Sequence, residues 1–312
     1  MLPGEMLTTF LTRADVMRHV QALHLLKELR EAFTGAGAAD FGELSFASPT
    51  PGSSVVRHGA LPGIPAYCVT VRAAWPARDS LTPPGTRVVL QLHEATSGKL
   101  LAVMDAAHLT ALRAALMGAL SVDVFARADA TNVAILGGGS AASGALKALR
   151  LVRSLTRVWL YEPNEASSFE LAVKLQQTLS MAVSSADSAA EAVADADVVL
   201  LTGGVSLPVV QLKPGAHVTV LAAEGFTTAP LPPALLAKAR LFCEVASPLA
   251  LYGTPAATLA QVLGSPALGR RNPEELTVFA SVGPAFLDLV AAWHVLEGAR
   301  TDDELTRFDL EA

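Results

Sequence analysis

This sequence predicts an α/β protein of two domains, and three observations carry the prediction. From about residue 132 onward, strand-length apolar runs alternate with helical segments, a pattern that calls for right-handed crossovers and a parallel sheet. Between residues 44 and 104 the texture is different: short β-type runs are divided by Pro and Gly pairs, which reads as an antiparallel or mixed sheet. Finally, 312 residues exceed what one hydrophobic core usually serves.

The elements follow in order. "TRADVMRHVQALHLLKELREAF", from Thr12, has a Thr-x-x-Asp start and apolar residues at helical spacing, and "TGAGAAD" ends it; it predicts one surface helix. "SVVRHG", "AYCVTVRAAW" and "RVVLQLHEA" are the strands of the first region, with "TSGK" as a turn. Residues 105–127 return to helical period. Then come strand "NVAILG", helix "SGALKALRLV", strand "RVWLYE", helix "EASSFELAVKLQQTL", and strands "DVVLLT", "HVTVLA" and "RLFCEV". A last strand, "LTVFAS", leads through Gly283 and Pro284 into the helix "AFLDLVAAWHVLEGAR", which is expected to pack back on the first domain.

Composition narrows the function classes. The chain is 51% hydrophobic with a mean hydropathy of +0.41, yet its apolar runs are strand-length and end in Gly or charged residues. A bilayer span needs about 20 apolar residues in a row, so no membrane segment is expected. The N-terminus lacks the charged-apolar-small succession of a signal peptide, and a cytoplasmic protein follows. Net charge is −6 and the 23 Lys and Arg are scattered, which argues against nucleic acid or an anionic membrane as partner. Small molecules are the expected partners. Neither Cys68 and Cys243 nor the seven histidines show metal-ligand spacing, so no metal is expected.

The chemistry starts at "GGGSAA", residues 137–142, between a strand and a helix. Gly137 and Gly139, followed by Ser140 and Ala141, fit G-x-G-x-x-G/A. Glycines without Cβ atoms let a pyrophosphate approach the backbone, and the helix start offers free N–H groups and positive partial charge. The second strand ends at Glu162, where an acid that accepts from a ribose 2′-hydroxyl belongs. A carboxylate there repels a 2′-phosphate by about 1 kcal/mol or more. NAD is therefore expected over NADP.

Three segments give the chain a family resemblance: "TSGKLLAVMDAAHLTALRAALMGALSVDVFAR", "NVAILGGGSAASGALKALRLVRSLTRVWLYEPN" and "GRRNPEELTVFASVGPAFLDLVAAWHVL". Together with "LKPGAHVTVLAAEG", they resemble the ornithine cyclodeaminase/μ-crystallin family over most of residues 55–300. The resemblance implies a Rossmann-type doubly wound parallel sheet, residues 117–284, inserted in a second α+β substrate-binding and dimerisation domain, residues 1–116 plus 285–312. It also implies a homodimer that uses NAD for hydride transfer at the α-carbon of an amino or imino acid.

Carried over position by position, the resemblance assigns Arg57 to the substrate carboxylate and Arg113 to the cofactor. Glu224, in "VLAAEGF", stands where the family has a catalytic Asp. Thr202 and Ser281 fall on the cofactor side and Val282 on the substrate side. One departure matters most. Counting back from Pro76, the position of the family's catalytic lysine holds Thr70, or Arg72 after a two-residue slip. Threonine is not basic and arginine stays protonated, so neither is a general base. Reduction of a preformed imine tolerates that loss better than amine oxidation does. The expectation is an ornithine cyclodeaminase-like enzyme, either a literal cyclodeaminase or an imino-acid reductase or amino-acid dehydrogenase. The alternative is a non-catalytic nucleotide-binding protein, as μ-crystallin is.

Overall fold

The computed structural model describes residues 7–47, 52–75, 85–203, 205–209, 212–221, 231–245 and 252–310. The chain divides into two units, Met1–Arg113 with Pro284–Ala312, and Ala114–Gly283. The first break falls inside a helix and the second at the Gly283–Pro284 step.

The first unit opens with strand β1 (Thr8–Leu11), helices α1 (Arg13–His19) and α2 (Ala22–Gly35), and strands β2 (Asp40–Ala47), β3 (Ser53–Ala60), β4 (Ala66–Trp75), β5 (Gly85–Glu94) and β6 (Leu100–Asp105). Two details differ from the sequence expectation. The single surface helix is two helices: α1 is closed by a Thr12–Asp15 capping box, and Val20 is extended. The break holds because Gln21 donates its backbone N–H to His294 Nε2 at 3.1 Å, a partner remote in sequence. Nor is α2 a surface element only, since it buries Leu25, Leu26, Leu29, Ala32 and Phe33. The second difference lies in the strands: β1, β2 and β6 stand beside the three expected runs, and β1 pairs parallel with β6.

Helix α3 (Ala107–Phe125) carries the chain across the break. Among the described residues it is the one helix long and apolar enough to cross a membrane, but 67% of its apolar window is buried, as befits a core helix. Phe125 at its end stacks on Phe242 and Phe279 at 4.2 and 5.5 Å.

The second unit comprises β7 (Asn132–Leu136), α4 (Gly139–Leu149), β8 (Arg157–Tyr161), α5 (Glu165–Leu179), β9 (Val183–Ser185), α6 (Ala189–Val193), β10 (Val198–Leu201), β11 (His217–Val220), α7 (Pro233–Leu236), β12 (Arg240–Cys243), β13 (Ala257–Thr258), α8 (Leu259–Gly264) and β14 (Thr277–Ala280). All eight strands pair parallel, in the order β13-β12-β14-β11-β10-β7-β8-β9. Covered on both faces, strands such as "VVLL" are apolar throughout and buried throughout. The winding reverses between β7 and β10, so the carboxyl ends of these two strands flank the crevice where ligands bind in such sheets.

One polar seam crosses this core. His217 Nδ1 lies 2.9 Å from Thr277 Oγ1 and its Nε2 2.9 Å from Thr219 Oγ1. Thr219 meets Ser121 at 2.8 Å, and Arg270 donates to Thr277 at 2.7 Å. Burial, with the charges of Arg270 and Arg153 adding to it, pushes the His217 imidazole down to about 3. It is a neutral structural group.

The chain then returns to the first unit through α9 (Phe286–Gly298) and β15 (Thr306–Phe308). This completes a seven-stranded mixed sheet in the order β15-β1-β6-β5-β4-β3-β2. Alternation along its strands gives the sheet two unlike faces. One carries the buried Cys68, Thr70, Leu90, Leu92, Ala102 and Met104 and lies under α9. At Gly59 the two elements meet so closely that a methyl group would sit 2.4 Å from the Ala285 carbonyl oxygen. The other face carries a row of register partners, Leu44, Val56, Val71 and Val89. Three of these are exposed: Leu44 at 65%, Val71 at 42% and Val89 at 43%.

Candidate active site

The glycine turn lies at the switch point of the parallel sheet. Gly137, with φ +124°, ends β7, and Gly139, with φ +62°, starts α4. Both values favour glycine. Gly137 and Gly138 are also held by neighbours, whereas among the described residues nothing lies near Gly139. A methyl at Gly137 would meet Thr202 Oγ1 at 2.4 Å, and one at Gly138 would meet Glu162 Oε2 at 1.3 Å. The Glu162 carboxylate therefore lies directly over the turn, at the end of the strand next to β7. Gly138 is the helix N-cap and offers no side-chain bond to the first turn, so the N–H groups at Gly139, Ser140 and Ala141 face outward without a capping side chain. Ser140 and Ala141 are exposed. Bare backbone, an open helix start and a carboxylate beside it fit a dinucleotide: pyrophosphate on the amides, ribose on the acid.

Thr202 ends β10 facing this turn, but its hydroxyl leans inward on the Leu136 carbonyl at 3.4 Å. Its position shapes Gly137. Ser281, just past β14, is buried and donates to Glu244 Oε1 at 2.5 Å. Glu244 Oε2 accepts from Val282 N at 2.8 Å, and Oε1 from Gly283 N at 3.4 Å. Burial raises the Glu244 carboxyl above its usual range, while the bonds from Ser281, Val282 and Gly283 pull the other way. One buried acid thus sets the course of the whole 281–283 segment and leaves the Val282 side chain 39% exposed. Sequence reasoning gave Glu244 no role. Its only signal was an acid at the carboxyl end of a parallel strand, in "RLFCEV".

The first unit brings the predicted arginines together around an acid that sequence reasoning also left without a role. Asp288 on α9 is 1% exposed. Arg57 Nη1 donates to its Oδ2 at 3.3 Å, and Arg113 Nε lies 3.0 Å from its Oδ1. Arg57 Nε also lies 3.3 Å from Glu43 Oε2 on β2. The signal for Asp288 was an aspartate inside an apolar helix, which survives burial only when paired. Thr70 is the register partner of Arg57, and Arg72 that of Val55, so both lie on the α9 face of β4. Cys68, on the same face, makes a long contact of 3.6 Å to the Ala285 carbonyl. Burial, reinforced by Asp288, pushes its thiol up to about 12, which makes it an inert core group. Glu224 and Pro76 lie outside the described residues. Among the described residues no three His, Cys, Asp or Glu side chains gather as a metal site would require.

A doubly wound parallel sheet with a glycine turn and an acid at its switch point puts the second unit in the Rossmann class of dinucleotide-binding folds. The chain belongs to the ornithine cyclodeaminase/mu-crystallin family, whose sequence profile matches residues 6–303. It is 25% identical over 276 residues to a Δ(1)-pyrroline-2-carboxylate reductase of Bacillus cereus, covering 83% of this chain and 85% of that one. To an L-lysine cyclodeaminase of Streptomyces rapamycinicus it is 28% identical over 304 residues, covering 88% and 86%. Among solved structures it resembles a dimeric archaeal alanine dehydrogenase with bound NAD, at a TM-score of 0.87 and 23% identity, over 97% of this chain and 99% of that one.

Proposed function

We propose that this protein is an NAD-dependent enzyme acting by hydride transfer at the α-carbon of an amino or imino acid, and that it works as an imino-acid reductase. The observation that carries the reading is the placement of the Glu162 carboxylate over Gly138, an arrangement that serves a ribose diol and repels a 2′-phosphate. Membership of a family whose relatives include a pyrroline-2-carboxylate reductase and a lysine cyclodeaminase supports the rest.

NAD supplies or accepts the hydride when bound. The α4 amides at Gly139, Ser140 and Ala141 hold the pyrophosphate, Glu162 the ribose, and Ser281, aimed by Glu244, the nicotinamide side. Arg57 binds the α-carboxylate of the substrate through its guanidinium fork. Asp288 holds Arg57 and Arg113 in place, so that their side-chain entropy is spent before the ligand arrives. Glu224 donates the proton to the imine nitrogen. No base stands at position 70 or 72, which disfavours amine oxidation and hence a literal cyclodeaminase.

A homodimer belongs to the same reading, with a second copy of this chain covering the Leu44, Val71 and Val89 face. So does a cytoplasmic setting, in which Cys68 and Cys243 remain reduced, outside any disulfide.

The test is NADH consumption with Δ(1)-pyrroline-2-carboxylate, with pyruvate plus ammonia, and with ornithine in the reverse sense. Turnover of an imine above that of a Glu224→Gln control is expected. Binding of NAD with no turnover of any substrate would favour the non-catalytic alternative, which the Thr70 position also supports.

A further inference from the structure

We propose that the preferred substrate is a dicarboxylic imino acid, with Arg57 taking the α-carboxylate and Arg72, assisted by Thr70, taking the second carboxylate. This rests on the reductase reading and narrows it to a substrate class.

The argument starts from register. Arg57 pairs with Thr70, and Arg72 stands two residues further along β4 on the same face. Arg57 and Arg72 are therefore diagonal neighbours, whose backbones are about 7–8 Å apart. That separation suits two acid groups on one short carbon chain better than two oxygens of a single carboxylate.

The two arginines differ in how they are satisfied. Arg57 is engaged by Asp288 and Glu43. Arg72 Nη2 is shielded from solvent and has no hydrogen-bond partner among the described residues. Thr70 Oγ1, two residues back on the same strand face, is buried as well and has no hydrogen-bond partner among the described residues beyond the weakly bonding Cys68 thiol. A buried guanidinium nitrogen without an acceptor is costly to keep, and an oxygen ligand removes that cost. A carboxylate is the ligand whose geometry matches the planar fork bidentately, with the threonine hydroxyl able to donate to the same group. Charge agrees: Arg57 and Arg113 already share Asp288, with Glu43 on Arg57, so the charge of Arg72, on the same strand face as Thr70, is available to a ligand.

Two measurements on the full-length protein test this. The first is calorimetric titration with succinate and with propionate. The second is the ratio of kcat/KM for NADH consumption with oxaloacetate plus ammonia to that with pyruvate plus ammonia. Wild type should bind succinate at least about tenfold tighter than propionate and prefer the diacid imine by a similar factor, the worth of one charge-assisted contact. Arg72→Met should reduce both ratios toward one, mainly through the diacid KM, and Arg72→Lys should restore part of the loss because the charge returns without the fork. Equal binding of the two acids by wild type, or an Arg72→Met variant that folds and keeps both ratios, would overturn the proposal. A reductase that favours monocarboxylic imines would sink the dicarboxylate assignment and leave the enzymatic reading intact. If no imine consumes NADH, that reading fails, and the succinate titration still decides the anion site by itself.

Discussion

At Gly138 a single missing carbon makes room for the Glu162 carboxylate, which under the proposed function holds the ribose. Its backbone, with φ −127°, is open to any residue, so the glycine serves the Glu162 carboxylate and not the turn. Gly138→Ala should fold normally, because the atom it strikes is the end of a mobile side chain, but it should drive Glu162 away from the ribose. We expect Gly138→Ala and Glu162→Ser each to weaken NAD about tenfold or more and to lose discrimination against NADP. The double variant should be little worse than either single one, as fluorescence titration of the four proteins would show. Additive losses would mean that the two positions act separately.

His217 makes a different kind of residue-scale prediction. Its folded imidazole binds a proton only near pH 3, whereas the unfolded one does so near pH 6.5. The stability tied to the neutral ring is therefore complete above about pH 6.5 and is lost as pH falls from there toward 3, at up to about 1.4 kcal/mol per pH unit. His217→Gln keeps a hydrogen-bonding side chain and cannot charge. Urea melts between pH 7 and 4 should show a shallower acid limb for the variant than for wild type.

Elements meet where no local pattern announces it. Helix α9 lies against β3 at Gly59, and there a methyl group strikes the backbone of Ala285 and Phe286, at 2.4 to 2.6 Å. Backbone cannot rotate away as Glu162 can. Gly59→Ala should therefore cost about 1–3 kcal/mol or more of stability and lower the melting temperature, in contrast to Gly138→Ala. The same packing sets the Asp288 clamp, because Asp288 stands one helical turn beyond Ala285 and reaches Arg57 two residues from Gly59. Helix periodicity placed α9 correctly, and its aspartate was visible as an oddity. Which cations it meets depends on the register of β3 under the helix, and the sequence does not carry that.

At the scale of the whole molecule, the seven-stranded sheet bears on assembly. The Leu44, Val71 and Val89 row is apolar and exposed on one face of a seven-stranded sheet. A contiguous face of this kind marks an interface more often than a surface left in water. Under the homodimer proposal, Val71→Glu combined with Val89→Glu should yield monomers by analytical ultracentrifugation with an intact fold by circular dichroism. A double variant that sediments as wild type would place the interface elsewhere.

Local chemistry was enough to determine the parallel α/β unit, the glycine turn, the acid beside it and the change of texture before residue 105. Each of these follows from spacing within one or two neighbouring elements: period two, period 3.6, or a strand-turn-helix step. Several features were decided by the tertiary structure alone. They include the break between α1 and α2, the pairing of β1 with β6 and β15, the hold of Glu244 on residues 281–283, and the sharing of Asp288 by Arg57 and Arg113. All of these join groups far apart in the chain, and periodicity within a segment carries no information about which remote partner will satisfy a buried charge or a free backbone amide.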